Sequence, residues 1–458
     1  MSRAGHAVSV DGRCSNTEAE LPIGELRKDT ARVLGAGASG RTLHYCSPAH
    51  GGWGVVRTAL LIPESYLLFA CPPACGRHGA IAAIEHGFKE RVGYLCITES
   101  EVVLGGYEAE IRRGAREALR RIRPRPRALL LCVSCIDDLL GTDHAAAMEE
   151  METEFGIPVR LARMNPIQLD GRLPPGQRIQ RTVYEFLEPG TERDWGVLVL
   201  GSFVPPGPDS ELSRFLAHLG RGPLRHPGLC SDFDEFRTLA RSYAAITLRP
   251  EGNAAATYVT AAMGIQSAPA PIAFSSALVE RRYREMAEFL GAGNSEYADA
   301  MDFVSRAAAQ AAVAAAETAR SLTGLTVAVD STATASPFDL ALALAEAGIE
   351  VTRVYAYHLA DHERESFAAL ARLLPTLLVC NPCHPSRHER RPGGPKADMA
   401  VGFEAAYAAG APLAVPVAFD EGLYGFEGFR SVLNAMVSSV AAGPADLEAQ
   451  VRDYGLVV

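Results

Sequence analysis

The chain has 458 residues, 48% of them hydrophobic, and a formal net charge of −10. That length corresponds to about two to four domains, and the acidic balance argues against a dedicated nucleic-acid binder. No run of about 18 uncharged apolar residues is present, so no membrane span is expected; residues 1–12 lack the apolar core of a signal peptide, which places the chain in the cytoplasm.

Residues 1–40 are polar and Gly-rich and are expected to form a mobile arm. Within them, Gly35-Ala36-Gly37-Ala38-Ser39-Gly40 matches the G-x-G-x-x-G dinucleotide fingerprint. That mechanism needs a helix opening at the last glycine, and Arg41–Pro48 has no helical pattern. The glycines therefore read as part of the arm. No Walker A sequence is present, so ATP hydrolysis is not expected of this chain.

From residue 41 to 172, short apolar runs alternate with helical patterns. Tyr66–Ala70, Ala128–Val133 and Pro158–Ala162 read as strands, and Tyr107–Arg121 and Asp143–Phe155 as amphipathic helices. Strands alternating with helices imply a parallel, doubly wound sheet. Leu173–Gln177 reads as a linker. A second α/β unit covers 178–322, with a strand at Gly196–Leu200, helices at Ser210–Leu219 and Asp232–Tyr243, and a long alanine-rich helix at Tyr297–Leu322. A third covers 323–458, with strands at Thr326–Asp330, Glu350–Tyr355 and Leu377–Cys380 and a helix at Pro337–Ala347. Its C-terminal segment is expected to pack back on the body. The fold class is thus α/β, with three Rossmann-like parallel units.

Ten cysteines in a chain of this type call for an explanation. In a reducing compartment clustered cysteines more often bind metal or do redox chemistry than form disulfides. Cys14, Cys96 and Cys230 read as structural. Cys46 precedes a glycine-rich turn. Cys71 and Cys75 frame Cys71-Pro72-Pro73-Ala74-Cys75-Gly76 at the end of the first strand, and Cys132 and Cys135 form a C-x-x-C at the end of another. Strand-end loops are where α/β sheets bind ligands. Gly76 lets the backbone approach a cluster closely. Thiolates suit iron–sulfur clusters and zinc alike, and Cys71, Cys75, Cys132 and Cys135 would also make a four-thiolate zinc site. In the third unit, His358, His362, Cys383 and His384 lie in loops that follow strands, as candidates for substrate or metal contact. The arginines Arg387, Arg390 and Arg391 read as solvated surface.

Cys46, then Cys75-Gly76, then Cys135 opening a C-x5-G-x-D run with Gly141 and Asp143, resembles the nitrogenase component 1 superfamily. Gly156-Ile157-Pro158-Val159, Gly348-Ile349-Glu350-Val351 and Gly425-Phe426-Glu427-Gly428-Phe429 extend the likeness to about residue 440. The resemblance implies three α/β domains around a central cavity, with Cys46, Cys75 and Cys135 as ligands of an iron–sulfur cluster, [4Fe–4S] or P-cluster-like, at a subunit interface. Cys71 would substitute for Cys75 or add a ligand; Cys132 is an extra thiol. It implies a homodimer, or a heterodimer or tetramer with a paralogous subunit, and an ATP-dependent iron protein that delivers electrons. His358, His362 and His384 would face a small-molecule substrate in the cavity. Where the family's catalytic subunit has a cysteine and a histidine for the iron–molybdenum cofactor, Ile246–Gly252 has no cysteine and Val415–Tyr424 no histidine. No iron–molybdenum cofactor is therefore expected on this chain. The reading that follows is a nitrogenase-like reductase component; a non-catalytic scaffold for cofactor assembly is the alternative.

Overall fold

A computed structural model describes residues 19–34, 54–163, 173–388 and 395–454. The Gly35–Gly40 motif, Cys14 and Cys46 lie outside the described residues. Among the described residues, no helix is long and apolar enough to cross a membrane.

Three sheets organise the chain. A short strand, β1 (Glu20–Pro22), precedes them. The first sheet holds β2 (Ser65–Cys71), β3 (Val92–Cys96), β4 (Ala128–Val133) and β5 (Val159–Arg163) in the order β3-β2-β4-β5. The second holds β6 (Val197–Leu200), β7 (Leu224–Arg225), β8 (Ala244–Thr247) and β9 (Gln266–Pro269) in the order β7-β6-β8-β9. The third holds β10 (Thr326–Asp330), β11 (Glu350–Tyr355), β12 (Leu378–Cys380), β13 (Met399–Val401) and β14 (Leu413–Val415). Its order is β1-β12-β11-β10-β13-β14. All pairings are parallel except β1 with β12.

The central strands β4, β6 and β8 are buried at every position, and the edge strands β3, β7 and β9 are partly exposed. Ala128–Val133 is buried at every position, as a strand covered by helices on both sides must be. Its faces divide between two cores. Leu130 and Cys132 pack with Phe69, Ile179 and Phe236, while Leu129, Leu131 and Val133 pack with Ile111, Leu119 and Met151. Each sheet winds outward from one point, so the strand order reverses between β2 and β4, between β6 and β8, and between β10 and β13. At such a reversal the connections leave in opposite directions and open a crevice beyond the carboxyl ends of the strands.

Several elements depart from the sequence reading. Residues 20–34 are not a mobile arm. Glu20 pairs with Cys380 and Pro22 with Leu378, and Ile23, Leu26, Val33 and Leu34 enter the large core shared by the second and third sheets. The segment covers an otherwise open sheet edge. The linker at Leu173–Gln177 ends early, because the helix Pro175–Tyr184 has already begun with a proline in its first turn, where the missing N–H costs nothing. The helix expected at Asp232–Tyr243 breaks into Phe233–Thr238 and a tighter turn, Leu239–Arg241, before β8. The alanine-rich helix runs Asn294–Ser321 and buries one stripe, Ala300, Val304, Ala307, Ala311, Ala315 and Thr318. The spacing is that of a single helical face.

Leu26 is fully buried. Leu26→Ala is expected to cost about 2–5 kcal/mol, as for other buried leucines. An unchanged urea midpoint would show that the segment before residue 35 does not belong to the core.

Candidate functional site

Three adjacent parallel strands of the first sheet end in cysteine-bearing segments. Cys71 closes β2, Cys96 closes β3 as its register partner, and Cys132 sits one residue before the end of β4. Beyond β2 the chain turns at Pro72 into the helix Pro73–Glu85, and the Cys75 N–H donates to the Pro72 carbonyl at 2.9 Å. Beyond β4, Ser134 precedes the helix Cys135–Leu140, which places Cys135 at its first position. Cys75 and Cys135 thus emerge at the β2/β4 reversal, both half-buried.

The thiols divide into two classes. Cys71 and Cys132 are core residues, 1% exposed each. Burial, with Cys75 and Cys96 nearby, pushes the Cys71 thiol up to about 12; burial likewise raises Cys132. Cys75 is raised by burial and then by the proximity of Cys135, so these two sulfurs sense each other. Cys96, read as structural, is exposed; Cys230 is half-buried. Gly76 has a packing reason, because a Cβ there would lie 2.7 Å from the Tyr94 ring and 3.3 Å from Cys71 Sγ.

A buried charge network holds the Cys135 helix. The Asp137 carboxylate is fully buried. It accepts from the Thr142 hydroxyl and the Arg163 guanidinium, and it pairs with His144 Nε2 at 2.5 Å. Gly141, in the left-handed region at φ 65°, ends the helix so that Thr142 can turn back. Asp143 caps the following turn through the Ala145 N–H at 2.9 Å. Burial pushes Asp137 up, but the bonds from His144 and Thr142 and the charges of His144 and Arg163 outweigh it and hold the carboxyl below its usual range. Nothing in the local pattern of Cys135–Asp143 announced this network, because Arg163 arrives from β5.

The second feature is a cavity of about 610 Å³ where the three sheets meet. Arg57 comes from the helix Gly54–Ala59 and Gln180 from the helix Pro175–Tyr184, Phe203, Arg249 and Glu251 from the loops after β6 and β8, and Thr332 and His358 from those after β10 and β11. The second and third sheets therefore present their reversal points to it. Arg249 is buried against Asp420 and Glu251. Burial raises Glu251, but Arg249 and more weakly His358 pull its carboxyl below the usual range. Of the three histidines singled out in the sequence, His358 lines the cavity. His362 Nε2 instead faces Ser336 Oγ at 3.1 Å, and burial lowers its affinity for a proton. His384 Nδ1 faces Ser386 Oγ at 2.9 Å in the loop after β12, two strands from β10. Among the described residues, no three His, Cys, Asp or Glu side chains converge as a metal site. Cys75 and Cys135 are half-buried, as are Cys230 and Cys383.

Residues 51–441 match the family model for nitrogenase component 1 type oxidoreductases. The chain belongs to this family. Cys46 lies just before the matched span. Among solved structures, "Nitrogenase Cp1 at pH 6.5" is similar with a TM-score of 0.62 at 13% identity, over 87% of this chain and 92% of that one. "Nitrogenase Cp1 at pH 5" is similar with a TM-score of 0.60 at 14% identity, over 85% and 88%. At such identities the likeness is one of fold. No curated protein matches by sequence.

Asp137→Asn is expected to destabilise the protein by about 3 kcal/mol, the lower end for a broken buried ion pair, because Arg163 keeps some solvent contact. Since the folded carboxyl titrates below its unfolded value of about 3.9, its contribution is complete above that pH. It is lost as pH falls through the folded value. Thermal melts of wild type and variant should therefore converge in acid; a constant gap from pH 7 to pH 3 would contradict the assignment.

Proposed function

We propose that this chain is the cluster-bearing component of a nitrogenase-like reductase. Cys46, Cys75 and Cys135 would hold an iron–sulfur cluster at an interface with a second, identical or paralogous subunit. An ATP-dependent iron protein would supply the electrons, and a small-molecule substrate would occupy the central cavity. The observation that carries this reading is the pairing of Cys75 and Cys135. They are half-buried and electrostatically coupled at the one point of the first sheet where parallel strands open a crevice. Family membership supports the oxidoreductase class.

The donor set fits a thiolate-bound group. A bound iron–sulfur cluster supplies one-electron transfer at a potential set by burial and by N–H groups near its sulfurs. The chain's own part is to hold two thiolates in place. Pro72 and Pro73 stiffen the turn before Cys75, Tyr94 fills the space beside Gly76, and the Asp137 network fixes the helix that carries Cys135. Cys71 and Cys132 back the site as apolar packing and are not assigned as ligands. In the cavity, His358, which lines it together with Glu251, would hold and pass a proton. His362 and His384 are turned toward serine hydroxyls, so the proton role goes to His358 alone.

The test is iron and acid-labile sulfide per chain after strictly anaerobic purification. Wild type should carry about four irons and four sulfides per cluster. Cys75→Ala and Cys135→Ala should lose them, and Cys132→Ala should keep them. Stoichiometric zinc, or equal loss in all three variants, would overturn the assignment.

A further inference from the structure

We infer that the central cavity binds a small molecule carrying one carboxylate on an apolar body, with the carboxylate held by Arg57, Gln180 and Ser331. The inference rests on the cavity being the substrate site proposed above and names the class of substrate it takes.

Three hydrogen-bonding groups in the cavity wall have no partner among the described residues: Arg57 Nη1, Gln180 Nε2 and Ser331 Oγ. Gln180 is only 2% exposed, and the Arg57 side chain is 12% exposed. A buried donor left without an acceptor costs as much as a lost hydrogen bond or more, so three lining one cavity mark a place where an acceptor belongs. The acidic side chains that line the cavity are, by contrast, already engaged: Glu251 pairs with Arg249 at 3.3 Å, and Glu363 takes the Phe338 N–H at 2.8 Å. Outside the lining, Glu421 lies 2.6 Å from Arg57, and Asp420 takes Arg249 and the Ala335 N–H on Oδ2 while its Oδ1 has no hydrogen-bond partner among the described residues. The unmet demand is therefore for a ligand that accepts. Because Glu421 and Glu251 already oppose the two guanidiniums, the wall suits a monoanion better than a dianion such as phosphate.

The apolar part has its own place. Phe203 and Phe419 meet edge to face at 5.8 Å, and the Arg57 guanidinium lies 4.9 Å above the Phe203 ring. One end of the pocket is thus aromatic and the adjoining wall donates hydrogen bonds. A cavity of about 610 Å³ lies within the range usual for small organic ligands.

The test is binding to the purified full-length protein by ligand-observed NMR and calorimetry. The probes are phenylacetate, 3-phenylpropanoate and hexanoate, each beside its neutral amide, with inorganic phosphate as a further control. At least one carboxylate should bind at least tenfold more tightly than its amide, and phosphate should not compete. Gln180→Met, close in volume and leaving the Arg57–Glu421 pair intact, should weaken the carboxylate about tenfold without moving the melting temperature. Arg57→Lys, which keeps a charge for Glu421, should weaken it as well. Equal binding of acid and amide, no binding of any carboxylate, or full affinity in Gln180→Met would overturn the inference. The same titration on Cys135→Ala separates the two proposals. Carboxylate binding that survives without iron keeps this one whatever becomes of the cluster; iron in the wild type without carboxylate binding refutes this one and leaves the cluster standing.

Discussion

The paired thiols and much of the cavity wall lie where a parallel sheet reverses its winding. A right-handed crossover can leave a strand toward either edge of the sheet. Where two successive crossovers leave in opposite directions, no connection covers the carboxyl ends between them. The chain meets this constraint three times, at β2/β4, β6/β8 and β10/β13. The first reversal presents Cys75 and Cys135. The second and third face one another across the central cavity and supply Phe203, Arg249, Glu251 and Thr332. The proposed electron-accepting site and the proposed substrate site are therefore two uses of the same feature of the fold.

Holding thiols at such a point without burying them depends on polar groups that are themselves buried. Asp137 is sealed from water yet remains ionised because Arg163, His144 and Thr142 all donate to it. Such a network is weak evidence for net stability, since desolvation offsets much of the attraction. Its evident consequence is positional. It ties the strand β5, the turn at Gly141 and the Cys135 helix to a single carboxylate. In the third sheet Asp330 acts similarly. Its buried carboxylate accepts from the N–H groups of Thr332, Ala333 and Ala405 and joins the two sides of the reversal. Burial raises that carboxyl, and the bonds from Thr332, Ala405 and Ala333 offset part of the rise. Gly402, at φ 104°, leaves the room the carboxylate occupies.

Much of the fold was legible in the residues themselves. Ala128–Val133, Thr326–Asp330 and Glu350–Tyr355 were read with the bounds the structure has, because buried parallel strands are short apolar runs flanked by turn residues. Cys132 and Cys135 form a C-x-x-C in the sequence, and the end of β4 falls between them. The strand continues through Val133, so Cys132 points into the core with Leu130, while Cys135 belongs to the next helix. Three residues of spacing cannot distinguish those outcomes; the strand boundary does. The segment 20–34 was misread because its apolar residues Leu21, Ile23 and Leu26 are scattered among proline, glycine and charges, and its partner strand β12 lies about 360 positions away. The cavity was less legible still. Arg57, Gln180, Phe203, Ser331 and Phe419 share no local pattern, and only the meeting of three sheets brings them to one cavity.

The central claim is that Cys75 and Cys135 mark the metal–sulfur centre of this family member. Anomalous difference maps from anaerobically grown crystals, collected on both sides of the iron absorption edge, test it most directly. The account predicts a strong iron peak beside Cys75 and Cys135, at the carboxyl ends of β2 and β4, with Cys132 Sγ in the core away from it. Iron ligated elsewhere in the chain, or a peak at these sulfurs that appears only across the zinc edge, would contradict the account.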